Sequence, residues 1–254
     1  MISIILSGCS GHMGQAVIRK AREAGSDFNI IAGVDIQSCA DCPFPVYPSF
    51  SDISTKADVI VDFSHHSVLP ALCAYAAATN TPAVICTTGH TEDELAIMKK
   101  TSEQVGIFHS GNMSLGINLL IRLSKQAAAI LGKDYDIEIV EKHHNRKLDA
   151  PSGTALMIAN AVSEATDHEK NYVYDRHSRH EKRSPDEIGI SSVRGGNLAG
   201  VHDIMFLGDK EVLTISHEAL SRDLFADGAL KAAAFMKGKK PGIYDMDLLL
   251  SDLL

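Results

Sequence analysis

The chain has 254 residues, 45% of them hydrophobic, and a formal charge of −8 from 24 Lys and Arg set against 32 Asp and Glu. Apolar content on this scale builds a real core, in one large domain or two modest ones, and an acidic balance without a long basic run argues against nucleic acid or anionic membrane as the main partner. No apolar stretch is long enough to span a bilayer, and Met1 leads straight into Ile2-Ser3-Ile4-Ile5-Leu6 with no leader-like order of charge, apolar core and cleavage site, so a cytoplasmic protein is expected. Cys9, Cys39, Cys42, Cys73 and Cys86 are scattered and odd in number, which fits reduced thiols. Cys39-Ala40-Asp41-Cys42 has metal-ligand spacing but no second half, so it reads as a loop and no metal is expected.

In chain order, Ile2 to Ser7 reads as a buried strand that runs into Gly8-Cys9-Ser10-Gly11-His12-Met13-Gly14 and then a helix from Gln15 to Ala24. Glycines there let the backbone turn tightly and approach a pyrophosphate held on the helix amino terminus. A second strand, Phe28 to Val34, ends at Asp35, 21 residues after Gly14. That acidic residue is placed to accept from the 2′- and 3′-hydroxyls of an adenosine ribose and to repel a 2′-phosphate. No Arg or Lys follows in Ile36-Gln37-Ser38, so NADH is favoured over NADPH.

Further strand–helix units follow: Val59 to Phe63 with a helix over Ser67 to Ala78, then Pro82 to Cys86 with a helix opened by Thr91-Glu92-Asp93-Glu94 in capping-box style. Their alternation predicts a doubly wound, Rossmann-type parallel sheet, whose ligands lie beyond the carboxyl ends of the strands. Asp62, Phe63, Ser64, Thr87, Thr88 and Gly89 fall there, with His65 and His66 read as loop histidines.

Val105 to Phe108 reads as another strand, after which Gly111 to Asn118 leads into a helix and into a second domain. Tyr135 to Glu141 alternates as a half-buried strand, leaving His143, His144 and Lys147 on a loop before the helix start Pro151-Ser152-Gly153-Thr154. Two imidazoles and an ammonium supply acid, base and fixed positive charge near neutral pH, and the free N–H groups of a helix start hold an anion such as a carboxylate. Residues 166–189, including Asp167-His168-Glu169-Lys170 and the histidines His177 and His180, read as polar and exposed. Strands over Ile190 to Arg194, His202 to Leu207 and Glu211 to His217 predict an open mixed sheet, before a helix over Asp227 to Met236. A nicotinamide fold with such a loop points to hydride transfer onto a small anionic C=N or C=C substrate.

At these residues the chain resembles the 4-hydroxy-tetrahydrodipicolinate reductase (dihydrodipicolinate reductase) family. Glu141-Lys142-His143-His144-Asn145-Arg146-Lys147-Leu148-Asp149-Ala150-Pro151-Ser152-Gly153-Thr154-Ala155 matches its signature E-x-H-H-x-x-K-x-D-x-P-S-G-T-A, and further blocks agree in order, among them Asn112-x-Ser114-x-Gly116-x-Asn118, Arg194-Gly195-Gly196 and Ser221-Arg222. The resemblance implies that His143 acts as donor–acceptor and Lys147 as proton donor. It gives His144, Lys147, Gly153 and Thr154 to the substrate's carboxylates, Arg222 to closing the pocket, and adds Asn112 and Met113 to the cofactor residues Gly8 to Gly14, Asp35, Asp62 to Ser64 and Thr87 to Gly89. It also implies a dinucleotide-binding domain over 1–113, rejoined by 221–254, an α+β substrate and oligomerisation domain over 114–220, and a homotetramer. His12, where many relatives carry Arg, and Ile36, where NADPH-preferring relatives carry Arg, both weaken phosphate binding. Two other readings stand beside this one: an amino-acid dehydrogenase on the same scaffold, and a non-catalytic NAD(H) sensor.

Overall fold

A computed structural model describes every residue except 38, 40, 41, 133, 167–169 and 178. The chain divides into two compact units, one of Met1–Leu115 with Asp223–Leu254, the other of Gly116–Arg222.

In the first unit, strands β1 (Ile2–Ser7), β2 (Phe28–Val34), β3 (Val46–Tyr47), β4 (Val59–Asp62), β5 (Ala83–Ile85), β6 (Gly106–His109) and β12 (Gly242–Tyr244) form one sheet in the order β12-β6-β5-β4-β1-β2-β3, every neighbouring pair parallel. Strands covered on both faces read as continuous apolar runs, as in Val59-Ile60-Val61, because neither side meets water. Ile4, Leu6, Val59, Val61 and Phe108 pack with helices α1 (His12–Ala21), α6 (Asp223–Met236) and α7 (Met246–Asp252) on one face. Ile5, Ile60, Ile85 and Ile107 pack with α2 (Leu69–Thr79) and α3 (Glu92–Ser102) on the other. This is the doubly wound arrangement. The strand order reverses between β1 and β4, which opens a crevice beyond their carboxyl ends.

The second unit holds α4 (Leu115–Leu131) for nearly its whole length, β7 (Asp136–His143), α5 (Gly153–Glu164), β8 (Asn171–Val173), β9 (Glu187–Arg194), β10 (Gly200–Leu207) and β11 (Val212–Ala219). Its sheet runs β11-β10-β7-β9-β8, antiparallel on the β10 side of β7 and parallel on the β9 side, and is the expected mixed sheet. Ile137, Ile139, Ile188, Ile190, Ile204 and Phe206 form its core with Leu120 and Ala128 of α4 and Ile158 and Val162 of α5.

Several sequence expectations need correction. Helix α1 starts at His12, not Gln15, because Gly11 already serves as its cap, and it ends at Ala21. Helix α2 is preceded by a short 3-10 turn, His66–Val68. Strand β7 runs on through His143, so that histidine sits on a strand end rather than in the loop. The polar stretch 166–189 contains β8 and buries Val173, Glu187 and Ile188, although His177 and His180 are exposed as expected; Asp167-His168-Glu169 lies outside the described residues. Cys39 and Cys42, expected as reduced thiols, are instead joined in a disulfide, their Cα atoms 5.4 Å apart, because three positions of separation bring them within bonding reach; Cys9, Cys73 and Cys86 are free thiols as expected, all buried.

Candidate active site

In the first unit the glycine turn is built by close backbone approach. Gly8 has φ +75°, and a Cβ on it would lie 2.4 Å from the Phe63 carbonyl oxygen; a Cβ on Gly14 would lie 2.2 Å from the Gly8 carbonyl oxygen. Only glycine fits at either place. Gly11 caps α1 with no side-chain hydrogen bond, so the first N–H groups of the helix stay available to an anion. The Asp35 carboxylate accepts from the Ser10 N–H at 2.9 Å and from the Gln37 N–H at 3.0 Å, tying the turn to the end of β2.

Two cavities flank this turn. One of about 620 Å³ is lined by Gly8, Ser10, Gly11, Asp35, Ile36, Phe63 and Ser64 among others, and one of about 360 Å³ by Gly11, His12, Met13, Phe63, Ser64, Thr87 and Thr88 with His65, His66 and Cys86. The shape and donor set fit a dinucleotide: a bare helix start for pyrophosphate, a carboxylate at the end of β2 for a ribose, and glycines where a side chain would fill the cradle.

Other residues singled out from sequence stand behind those walls. Asp62 is buried and accepts from Ser64 Oγ at 2.5 Å and Thr87 Oγ1 at 2.6 Å, stapling the loops after β4 and β5 together. The Cys9 side chain points into the core against Gly33, and burial pushes its thiol pKa up. Asn112 and Met113 are buried too, with Asn112 Oδ1 accepting from the Ser114 N–H at 2.9 Å. Gly89 (φ +80°), by contrast, is exposed in the loop after β5.

The second unit brings the acid–base residues to one end of its sheet. Side chains alternate faces along a strand, so Ile137, Ile139, Glu141 and His143 all point from β7 toward the helix-covered face. Glu141 is fully buried yet accepts from His143 Nδ1 at 2.5 Å, from Arg194 Nη1 at 2.8 Å and Nη2 at 2.7 Å, and from the Ser152 N–H at 3.1 Å. Burial alone would raise its pKa, but hydrogen bonds from Arg194, Ser192 and His143 bring it down to about 2, so it stays an anion. His202, opposite Glu141 on β10, has Nε2 3.1 Å from Ser152 Oγ and its ring edge-on to His143 at 5.2 Å. Burial, with His143 adding to it, lowers its pKa to about 4 and keeps it neutral.

Ser152 caps α5, its Oγ accepting from the Ala155 N–H at 3.1 Å, and the helix itself starts at Gly153. Gly153 is exposed, with nothing within 4 Å of where a Cβ would stand. Thr154 is in the same first turn. His144 Nε2 lies 3.0 Å from Arg222 Nη2, and burial followed by the nearby cations Arg146 and Arg222 lowers its pKa. Lys147 Nζ is 2.9 Å from Asp149 Oδ1. His143, His144, Lys147, Gly153, Thr154 and Arg222 therefore all belong to this unit, which joins an imidazole pair, two cations and an open helix start.

The family described as "Dihydrodipicolinate reductase, N-terminus" matches residues 2–113, and its C-terminal counterpart matches residues 116–250. The chain belongs to the dihydrodipicolinate reductase family. It is 50% identical over 247 residues to the 4-hydroxy-tetrahydrodipicolinate reductase of Caldanaerobacter subterraneus subsp. tengcongensis, covering 97% of each chain. It is 45% identical over 251 residues to that of Clostridium tetani, covering 99% of this chain and 98% of the relative. Among solved structures it is similar to a dipicolinate-bound dihydrodipicolinate reductase from Paenisporosarcina sp. TG-14, with a TM-score of 0.82 and 25% identity over 96% of this chain and 97% of that one.

Sequence reasoning took Ser152 only as part of a helix start, Arg194 and Glu141 only as letters of family blocks and His202 only as a strand residue, and so missed the buried cluster they form. One available signal was the alternation of β7: extended two residues, it puts Glu141 and His143 on the same face as Ile137 and Ile139. Among the described residues no group of His, Cys, Asp or Glu is arranged to hold a metal ion, and no helix is long and apolar enough to cross a membrane.

Proposed function

We propose that this protein reduces 4-hydroxy-tetrahydrodipicolinate, by way of dihydrodipicolinate, to tetrahydrodipicolinate with loss of water, in the diaminopimelate route to lysine, and that it prefers NADH. The observation that carries the reading is the run from His143 through Lys147 to the start of α5, where imidazoles, a cation and the backbone N–H groups of a helix amino terminus stand together for a dicarboxylate. Residues 1–113 with 221–254 hold the cofactor, and residues 114–220 hold the substrate.

When bound, the nicotinamide supplies a hydride from C4. The chain's own residues do the rest. Lys147, His144 and the N–H groups at Gly153 and Thr154 grip the substrate carboxylates, since a dianion needs a cation and aligned donors. Arg222, against His144, closes the pocket. His143 and Lys147 deliver the proton where hydride addition leaves enamine-like charge. Asp35, Ile36 and the absence of any Lys or Arg from the described lining of the larger cavity support NADH over NADPH. His12 in place of Arg supports it further.

A coupled assay that generates substrate from pyruvate and aspartate semialdehyde, following nicotinamide absorbance, tests both parts. Turnover with a higher kcat/KM for NADH is expected; no turnover sinks the reaction, and a clear NADPH preference shows that Asp35 has been misread. The amino-acid dehydrogenase alternative requires oxidation of an amino acid instead.

The protein is further read as a cytoplasmic homotetramer joined through the substrate-domain sheets. Val193 and Val212, on the sheet face away from the helix-covered core, are 46% and 57% exposed, which supports a contact of that face with another copy. Sedimentation equilibrium is expected to give four times the chain mass; a single-chain mass overturns this assembly.

A further inference from the structure

Among the buried groups of the second unit, Glu141 is the one whose full set of hydrogen bonds converges on a reacting side chain. Both carboxylate oxygens are occupied: Oε2 by His143 Nδ1 and Arg194 Nη1, Oε1 by Arg194 Nη2 and the Ser152 N–H that opens α5. Strand register explains the arrangement. Glu141 stands opposite Ser192 on β9 and His202 on β10, and His143 stands opposite Arg194, so alternate residues of three strands meet on one face of the sheet. A buried carboxylate costs several kcal/mol to desolvate unless each lone pair is met, and here His143, Arg194, the Ser152 N–H and the Ser192 hydroxyl meet them.

We propose that Glu141 is a positioning residue for the reduction: clamped by Arg194 and the Ser152 amide, its carboxylate fixes the His143 ring and holds a proton on Nδ1, so that Nε2 is the nitrogen that exchanges a proton with substrate. This rests on the reductase reading above. An ionised carboxylate is acceptor-only, so the nitrogen 2.5 Å from it must carry the hydrogen. The far side of the ring fits the assignment. A Cβ on Gly200 would lie 3.0 Å from His143 Nε2, so glycine at that position keeps β10 from putting a side chain against Nε2 there. Of the titratable and charged groups near the ring, His202 on β10 is neutral beside Ser152, Arg194 on β9 is turned toward Glu141, and His144, next in the chain, is turned toward Arg222. The clamp also links the proton-exchanging ring to the carboxylate-holding helix start, because Ser152 donates its N–H to Glu141 and caps α5 with its hydroxyl.

The test pairs kinetics with a spectroscopic reading of the ring in the full-length protein. Glu141→Gln is expected to lower kcat by roughly 10²-fold, with substrate KM within about threefold, since oriented proton transfer is worth about that much. Nitrogen-15 spectra of histidine-labelled wild type, with the His143 signals assigned by their loss in His143→Gln, are expected to show the proton of the neutral ring on Nδ1. An Nε2–H tautomer, or Glu141→Gln with wild-type kcat, overturns the proposal. If Glu141→Gln does not fold, the wild-type tautomer decides it alone. If wild type shows no reductase turnover, the functional reading falls, and the same spectra decide whether Glu141 orients the ring.

Discussion

Lys147→Ala is expected to lower kcat by roughly 10²–10⁴-fold, the span associated with a positioned proton donor, while NADH affinity by fluorescence titration stays at the wild-type value. The two readouts separate because Lys147 lies in the second unit and the glycine turn, Asp35 and the loops after β4 and β5 all lie in the first. In the free protein the Lys147 ammonium is held 2.9 Å from Asp149 Oδ1, with 21% of the side chain exposed, so its charge is kept near the loop without being buried. A dicarboxylate has to compete with that surface ion pair, which is a weak contact. Lys147→Arg then divides the two duties assigned to the residue. The guanidinium keeps the cation and offers more donors, but it does not give up a proton at working pH. Near-normal KM with low kcat in Lys147→Arg fits proton donation, whereas recovery of both parameters assigns Lys147 to charge alone. Near-normal turnover of Lys147→Ala would remove it from the mechanism.

Much of this architecture is legible in the sequence because it is local. The bounds of β1 and β2 follow from apolar runs ended by a glycine turn and an acidic residue, and the capping box at Thr91 and Glu94 forms as read, with Glu94 Oε2 accepting from the Thr91 N–H at 2.8 Å. The stretch from Glu141 to Thr154 is likewise contiguous in the chain. What escaped is either too short or too distant. Strands β3, β8 and β12 have two or three residues each, fewer than a period-2 pattern needs to declare itself, and they take their place by pairing with a neighbour already formed. Arg194 reaches Glu141 across 53 positions, and Ser152 meets His202 across 50. Those partners depend on which strands flank β7 and in what register, and a one-residue slip would turn either side chain to the opposite face. Asp62 shows a contact of the same kind: its buried carboxylate staples Ser64 to Thr87 across the loops after β4 and β5, a role that sequence position does not reveal.

Gly8→Ala is expected to damage fold and cofactor binding together, and comparison with Gly11→Ala shows why. At Gly8 the backbone has φ +75°, a region that costs an L side chain about 1–2 kcal/mol. A methyl there would also lie 2.4 Å from the carbonyl oxygen of Phe63 and 2.8 Å from the nitrogen of Ser64. Those are main-chain atoms of the segment stapled by Asp62, so relief requires β1 and β4 to part, and overpacking of this kind costs about 1–3 kcal/mol more. Together these lower Tm by roughly 5–15 °C for a unit of this size, and the displaced turn no longer presents its N–H groups to a pyrophosphate. Gly11 has φ −73°, and a Cβ on it meets nothing nearer than the Gly8 carbonyl oxygen at 3.4 Å. Gly11→Ala therefore keeps the wild-type Tm, yet its methyl stands on the helix start between the two cavities, and NADH affinity falls with the fold intact. Calorimetry and NADH titration on the two variants read this difference directly. A wild-type Tm in Gly8→Ala would mean that the turn tolerates a side chain against Phe63, and the close approach of β1 and β4 would lose its place as the reason for glycine there.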